Sequence, residues 1–232
     1  MNGFMQWWEE IVATFVKCFI KDNRYNLLLD GIGVTSKVSL LAVAIGIVIG
    51  LIIALCNLSK NKGLNLIGKI YTDVIRGTPS VTQLMIIYFV VFATVNIDKW
   101  IIAAIAFGIN SGAYVSEIIR AGIMSIDRGQ TEAGRALGLS GAQTMGSIVI
   151  PQAVKNIFPA LCNEFIVLIK ETAIVGYVGL VDIQKAGDFI KSATFEAFMP
   201  LIATAIIYFI LIKVLTVAMA RVESALRKSE TR

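Results

Sequence analysis

Apolar residues in this chain come in long unbroken blocks separated by short polar gaps, the pattern of segments that cross a bilayer. The first block runs from Gly33 to Cys56, about 36 Å of helix at 1.5 Å per residue. A polar hinge, Asn57 to Lys69, leads to the second, Ile70 to Val95, whose first turns carry Asp73, Arg76, Gly77 and Pro79. The third, Trp100 to Ile119, is interrupted by Gly108, Asn110, Ser111, Ser116 and Glu117. A long polar stretch, Arg120 to Gln143, separates it from the fourth, Phe158 to Leu180, which includes Glu164, Lys170 and Glu171. The fifth covers Phe198 to Met219, and a basic tail follows. The pattern predicts an all-α, polytopic transmembrane bundle of about five spans.

Ahead of these blocks, Phe4, Trp7, Trp8, Ile11, Phe15 and Phe19 recur at helical spacing. A Trp-rich amphipathic helix at the bilayer surface fits them; a disordered leader with chance aromatics is the alternative. The segment does not read as a signal peptide: it lacks a basic start and a small-residue cleavage site, and Glu9 and Glu10 come early.

Composition agrees with a membrane chain. Hydrophobic residues make up 56% of the 232, and the mean hydropathy is +0.76. The net charge of +5 does not point to nucleic acid, because most basic residues lie in the gaps between apolar blocks, as topology signals do. Eleven share one side: Lys60, Lys62, Lys69, Arg120, Arg128, Arg135, Lys155, Arg221, Arg227, Lys228 and Arg232. Seven share the other: Lys17, Lys21, Arg24, Lys37, Lys99, Lys185 and Lys191. The richer side is read as cytoplasmic, with the N-terminus outside and the C-terminus inside. Cys18, Cys56 and Cys162 are scattered in or beside apolar runs and read as small hydrophobes. There is no histidine, so a His-based triad or a His-ligated zinc site is excluded, and no metal site is expected.

The polar stretch after the third block reads Glu132-Ala133-Gly134-Arg135-Ala136-Leu137-Gly138, then nine residues, then Ile148-Val149-Ile150-Pro151. Thr131 with Glu132 resembles a helix start. Gly138 can supply the left-handed residue that ends a short helix. A second helical piece, Ser140 to Val149, is expected to stop at Pro151. The whole predicts a helix–turn–helix outside the bilayer, shaped to dock into a partner. Glu-Ala-X-X-X-X-Gly with Ile-X-X-Pro at this spacing resembles the EAA loop of ABC importer permeases. Gly134 stands where that family usually has alanine.

Two further stretches resemble the polar amino-acid uptake branch of that family: Ile75-Arg76-Gly77-Thr78-Pro79-Ser80-Val81-Thr82-Gln83-Leu84, and Asn163-Glu164-Phe165-Ile166 through Lys170-Glu171-Thr172-Ala173, where Asp-Thr-Ser is commoner than Glu-Thr-Ala. The resemblance implies a permease subunit of an ATP-driven importer in the bacterial inner membrane. It would pair with a second permease copy or relative, with two cytoplasmic ATPase subunits that hold ATP and Mg, and with an external substrate-binding protein. It would perform no chemistry itself. Glu132, Ala133, Gly134, Gly138 and Pro151 would couple to the ATPase. The implied division is a surface segment over 1–29, a permease domain over 30–220 with a cytoplasmic coupling loop at 121–155, and a cytoplasmic tail over 221–232. An ion-coupled secondary transporter or channel is the alternative, although no internal repeat is present.

Gly63-X-X-X-X-Gly68-Lys69 imitates the start of a phosphate-binding loop, but Ile70 replaces the required Ser or Thr and a membrane span follows. Nucleotide binding is therefore expected on another chain. Gly77 and Pro79 should break the second span, either to line a cavity or as a kink in a packing helix. Glu164 lies in the largely apolar run Ile157 to Ile169, where an acidic group costs about 2.5–3.5 kcal/mol on insertion scales and must face a cavity or partner. It would meet the cationic group of a polar amino acid, mildly favouring a basic one, or else form a salt bridge with Arg76 or with Lys170 of a dimer mate. Asn110, Ser111, Arg76 and, more weakly, Gln83 are expected to line the same path. Glu117 and Arg120, three apart, should pair with each other.

Overall fold

The computed structural model describes residues 2–227. Lys228 and Arg232, part of the basic tail, lie outside them. The described residues form ten α-helices with short π and 3-10 turns between them. Three helices are long and apolar enough to cross a membrane: α2 (Tyr25–Leu58), α5 (Lys99–Met124) and α10 (Phe198–Arg227).

The second apolar block is divided. Helix α3 (Lys62–Arg76) and helix α4 (Ser80–Ile86), which continues as a π-helical turn to Val91, meet at 104°. The break falls at Gly77–Pro79, as the sequence leads one to expect, because proline cannot donate to the preceding turn. Gly63 to Lys69, the stretch that imitates a phosphate loop, lies within α3. The polar residues of the third block do not interrupt α5.

Helices α2 and α5 form the most extensive contact of the bundle. Small residues allow it: a Cβ on Gly50 would stand 2.4 Å from Val115 Cγ1, and one on Gly108 2.6 Å from Ile45 Cγ2. Close backbone approach of this kind drives association where lipid removes the hydrophobic contrast between helices. Around this pair, Val38, Ala42, Leu84, Phe107, Leu168 and Val175 close the main core.

Helix α8 (Ile150–Glu171) packs against α5 and α10 and ends in a 3-10 turn, Thr172–Val178. It carries Lys155, Glu164, Lys170 and Glu171 within 22 residues, against four charged residues in the 30 of α10. Helix α9 (Ile183–Thr194) lies against α2 and α10. The Asp182 side chain caps it through the Gln184 and Lys185 amides, and the Tyr208 hydroxyl of α10 donates to the same carboxylate at 3.0 Å.

The leader is helical over α1 (Asn2–Phe15). Phe4, Trp7, Trp8 and Phe15 are exposed, whereas Phe19, of the same predicted row, is buried. A π turn (Val16–Ile20) changes the helical phase there, and Cys18 and Phe19 sink against Ala186 and Ile190. Lys17 then pairs with Glu196 at 2.8 Å. The boundary expected between residues 29 and 30 falls inside α2.

Candidate functional site

Two groups of sequence-predicted residues come together. The first is the helix–turn–helix between α5 and α8. Helix α6 (Arg128–Ala136) is capped by Asp127, whose carboxylate accepts from the Gly129 amide at 2.6 Å. Thr131, read as the cap, lies inside the helix, because Asp127 supplies the capping oxygen a turn earlier. Gly138 has φ +83°, the left-handed conformation expected of it. Its amide donates to Arg135 O and that of Leu139 to Gly134 O, each at 3.1 Å, which satisfies the helix's last carbonyls.

Ser140 then opens helix α7 (Gly141–Thr144) with a reciprocal capping box to Gln143. Gly134 is buried against this helix: a Cβ there would meet Thr144 Cγ2 at 2.8 Å. Glu132 and Ala133 stay exposed, and Leu137 at the tip is 82% exposed. The expected stop at Pro151 does not occur. A π turn, Met145–Val149, carries the helix straight into α8, with Pro151 in the first turn, where its missing N–H is tolerated. One continuous helical rod therefore runs from Gly141 to Glu171, interrupted in its hydrogen bonding at Pro159.

The second group is centred on α5, between α8 on one side and the α3–α4 break on the other. Ser111, fully buried on α5, donates to Glu164 Oε1 on α8 at 2.9 Å. Asn110 on the next position donates to Gln83 Oε1 at 2.9 Å. Gln83 Nε2 donates in turn to Ile75 O at 2.7 Å and Thr78 Oγ1 at 2.6 Å. Asn110 and Gln83 are thus buried braces that satisfy the freed backbone of the break. Arg76 does not pair with Glu164; its guanidinium lies over the Tyr114 ring, 5.4 Å from the centroid. Among the described residues no lysine or arginine forms a salt bridge with Glu164. Glu117 and Arg120 pair as expected. Tyr114 carries no signal in the sequence, and Thr78 is marked there only as a member of the Ile75–Leu84 stretch.

Known proteins resemble this chain over most of its length. The family model of the binding-protein-dependent transport system inner membrane component matches residues 46–228. The putative glutamine transport system permease protein GlnP of Rickettsia bellii is 44% identical over 191 residues, 82% of this chain and 88% of that protein. The arginine transport system permease protein ArtQ of Bacillus subtilis is 42% identical over 205 residues, 88% of this chain and 94% of that one. A solved amino acid ABC transporter crystallised with histidines superposes with a TM-score of 0.82 at 43% identity, covering 89% of this chain and 98% of that chain. The MetNI methionine ABC transporter shares the fold, with a TM-score of 0.74 at 20% identity over 86% of this chain and 96% of that chain.

These relatives define the class: a multi-pass transport subunit, a permease, and not an enzyme. The chain belongs to the family of binding-protein-dependent transport system inner membrane components, and is an amino-acid ABC transporter permease.

Proposed function

We propose that this permease imports a polar amino acid, with a basic side chain favoured, into the bacterial cell at the expense of ATP bound with Mg on two partner ATPase subunits. The observation that carries the reading is the helical rod from Gly141 to Glu171, which continues through Pro159 despite the hydrogen bond lost there. At one end stands an exposed apolar tip, Leu137, beside Glu132, Ala133, Gly134 and Gly138, suited to a cleft in the ATPase. About 35 Å along it, at 1.5 Å per residue, stands Glu164. A displacement of the tip is carried to the carboxylate because a hydrogen-bonded helix transmits motion as a rigid element. Pro151 sits where tip and rod join.

Glu164, with Ser111 beneath it, meets the cationic group of the amino acid. Asn110 and Gln83 brace the break at Arg76–Pro79 beside the path. Two permease subunits, identical or related, enclose that path, and an external binding protein delivers the substrate. The membrane is the bacterial inner membrane, with about five spans, the N-terminus outside and the coupling loop and C-terminus inside. Helix α1 rests its exposed aromatic row on the outer bilayer surface.

Reconstitution tests this directly. The permease, co-purified with its ATPase in mild detergent and placed in liposomes with the binding protein, should take up amino acid only when ATP reaches the ATPase. Uptake driven by an ion gradient without ATP would support the secondary-transporter reading instead.

A further inference from the structure

Lys60 in the α2–α3 turn and Lys62 and Lys69 on α3 line one shallow cavity of about 420 Å³ with Ser59, Asn65 and Leu66. No acidic residue lines it, and among the described residues none of the three lysines has an ion-pair partner. The cavity's wall is held in place. Asn61 caps α3 through the Gly63 and Leu64 amides, and Asn65 donates to Asn57 O at 2.6 Å, fastening α3 to the end of α2. Lys62 and Lys69, seven residues apart, therefore share one face of α3.

The same helix exposes apolar side chains beside these cations. Leu66, which lines the cavity with the lysines, is 58% exposed; Ile70 and Ile67, 54% and 60% exposed, continue that apolar surface round the helix, and Leu64 is exposed nearer the turn. The turn closes a membrane-crossing helix, so it lies where hydrocarbon gives way to headgroups. A lysine rooted beside this exposed apolar surface extends toward that boundary, where it is attracted to anionic headgroups. A free phosphate would use the lysines alone, whereas a phospholipid uses both the lysines and the adjoining apolar surface.

We propose that Lys60, Lys62 and Lys69 bind the phosphate headgroup of an anionic phospholipid whose acyl chains lie along Leu66, Ile67 and Ile70. The site is separate from the transport path, and the inference does not depend on the direction or the energy source of transport. Native mass spectrometry of the intact complex tests it, after exposure to equal amounts of phosphatidylglycerol and phosphatidylcholine. The wild-type complex should retain phosphatidylglycerol in preference. K60Q/K62Q/K69Q should bind it about a hundredfold more weakly, given the attraction of each lysine to an anionic leaflet. K60R/K62R/K69R should restore retention, which shows that charge and not folding is being read. Equal phosphatidylglycerol retention by the Gln variant and the wild type would overturn the proposal. So would a Gln variant that keeps its lipid but loses its partner chains, since the lysines would then serve a protein contact.

Discussion

Ser111 and Glu164, 53 positions apart, meet across the α5–α8 contact with the hydroxyl donating to the carboxylate at 2.9 Å. With no basic side chain of the described chain paired to it, the carboxylate keeps an oxygen for a cationic ligand. Glu164→Gln keeps the shape and can still accept from Ser111. The complex should therefore assemble and hydrolyse ATP. Removing a charge-assisted hydrogen bond costs roughly 1.5–3 kcal/mol, or about 10- to 150-fold in affinity. Uptake in liposomes and substrate-stimulated ATP hydrolysis should fall together by that order. Unchanged uptake would show that Glu164 is not a substrate ligand, and failure to assemble would show that it binds a dimer mate.

Gln83 holds the helix break by bonding Ile75, Thr78 and Asn110 at once. Gln83→Leu should lower thermal stability in detergent by about 1–3 kcal/mol, because it leaves buried polar groups without partners. Gln83→Leu with Asn110→Leu should lose less than the sum of the two single changes, since the pair is then removed together. Strict additivity would mean that the amides do not depend on each other.

The α2–α5 seam makes a steric prediction. Gly50→Ala places a methyl group against Val115 Cγ1 and near Gly112 O, 2.4 and 3.1 Å from its Cβ. Overpacking of this kind costs typically about 1–3 kcal/mol, read as a lower melting temperature of the purified permease. Val115→Ala in the same chain should recover only part of the loss, because the Val115 Cβ that remains lies 2.6 Å from the added methyl group. Full recovery would place the whole strain on Val115 Cγ1.

Much of this architecture is legible in the chain, and the exceptions have physical causes. Apolar runs mark α2, α5 and α10 because lipid imposes length and composition together. The break at Gly77–Pro79 and the left-handed Gly138 follow from backbone chemistry that each residue carries locally. Contacts between distant helices do not: Ser111 with Glu164, and Arg76 with Tyr114, depend on which faces meet. Pro151 misleads because a π turn before it shifts the hydrogen-bond register, leaving the proline in a first turn. Tyr208, in an apolar run, gives no hint that it reaches the Asp182 carboxylate.

The proposed orientation can be read with thiol reagents that do not cross the membrane. In a background lacking Cys18, Cys56 and Cys162, Leu137→Cys, at the exposed tip, should label only from the cytoplasmic side. Tyr177→Cys, 66% exposed beyond the other end of α8, should label only from outside. Reversed labelling would invert the assigned topology.

Gly138 tests the docking unit by conformation alone. Its φ of +83° is one that side chains with a branched Cβ strongly resist, and that asparagine adopts several-fold more readily than most residues. Beyond its two chain neighbours, nothing lies within 4 Å of where a Cβ would stand, so added bulk meets no other residue. Gly138→Val and Gly138→Asn therefore differ mainly in the backbone cost, which is of order 1–3 kcal/mol for a residue held in a sparsely populated region. The valine chain can relieve that cost only by opening the turn, which releases the Gly138 and Leu139 amides from Arg135 and Gly134 and swings Leu137 away from α7. Both variants should reach the membrane in normal amounts, since the turn lies outside the spanning helices. Gly138→Asn should keep its ATPase through detergent purification and transport near the wild-type rate. Gly138→Val should lose the ATPase on purification and lose uptake with it. Equal loss in both variants would show that size and not φ is limiting at this position. Normal transport by the valine variant would show that the left-handed turn is dispensable for docking.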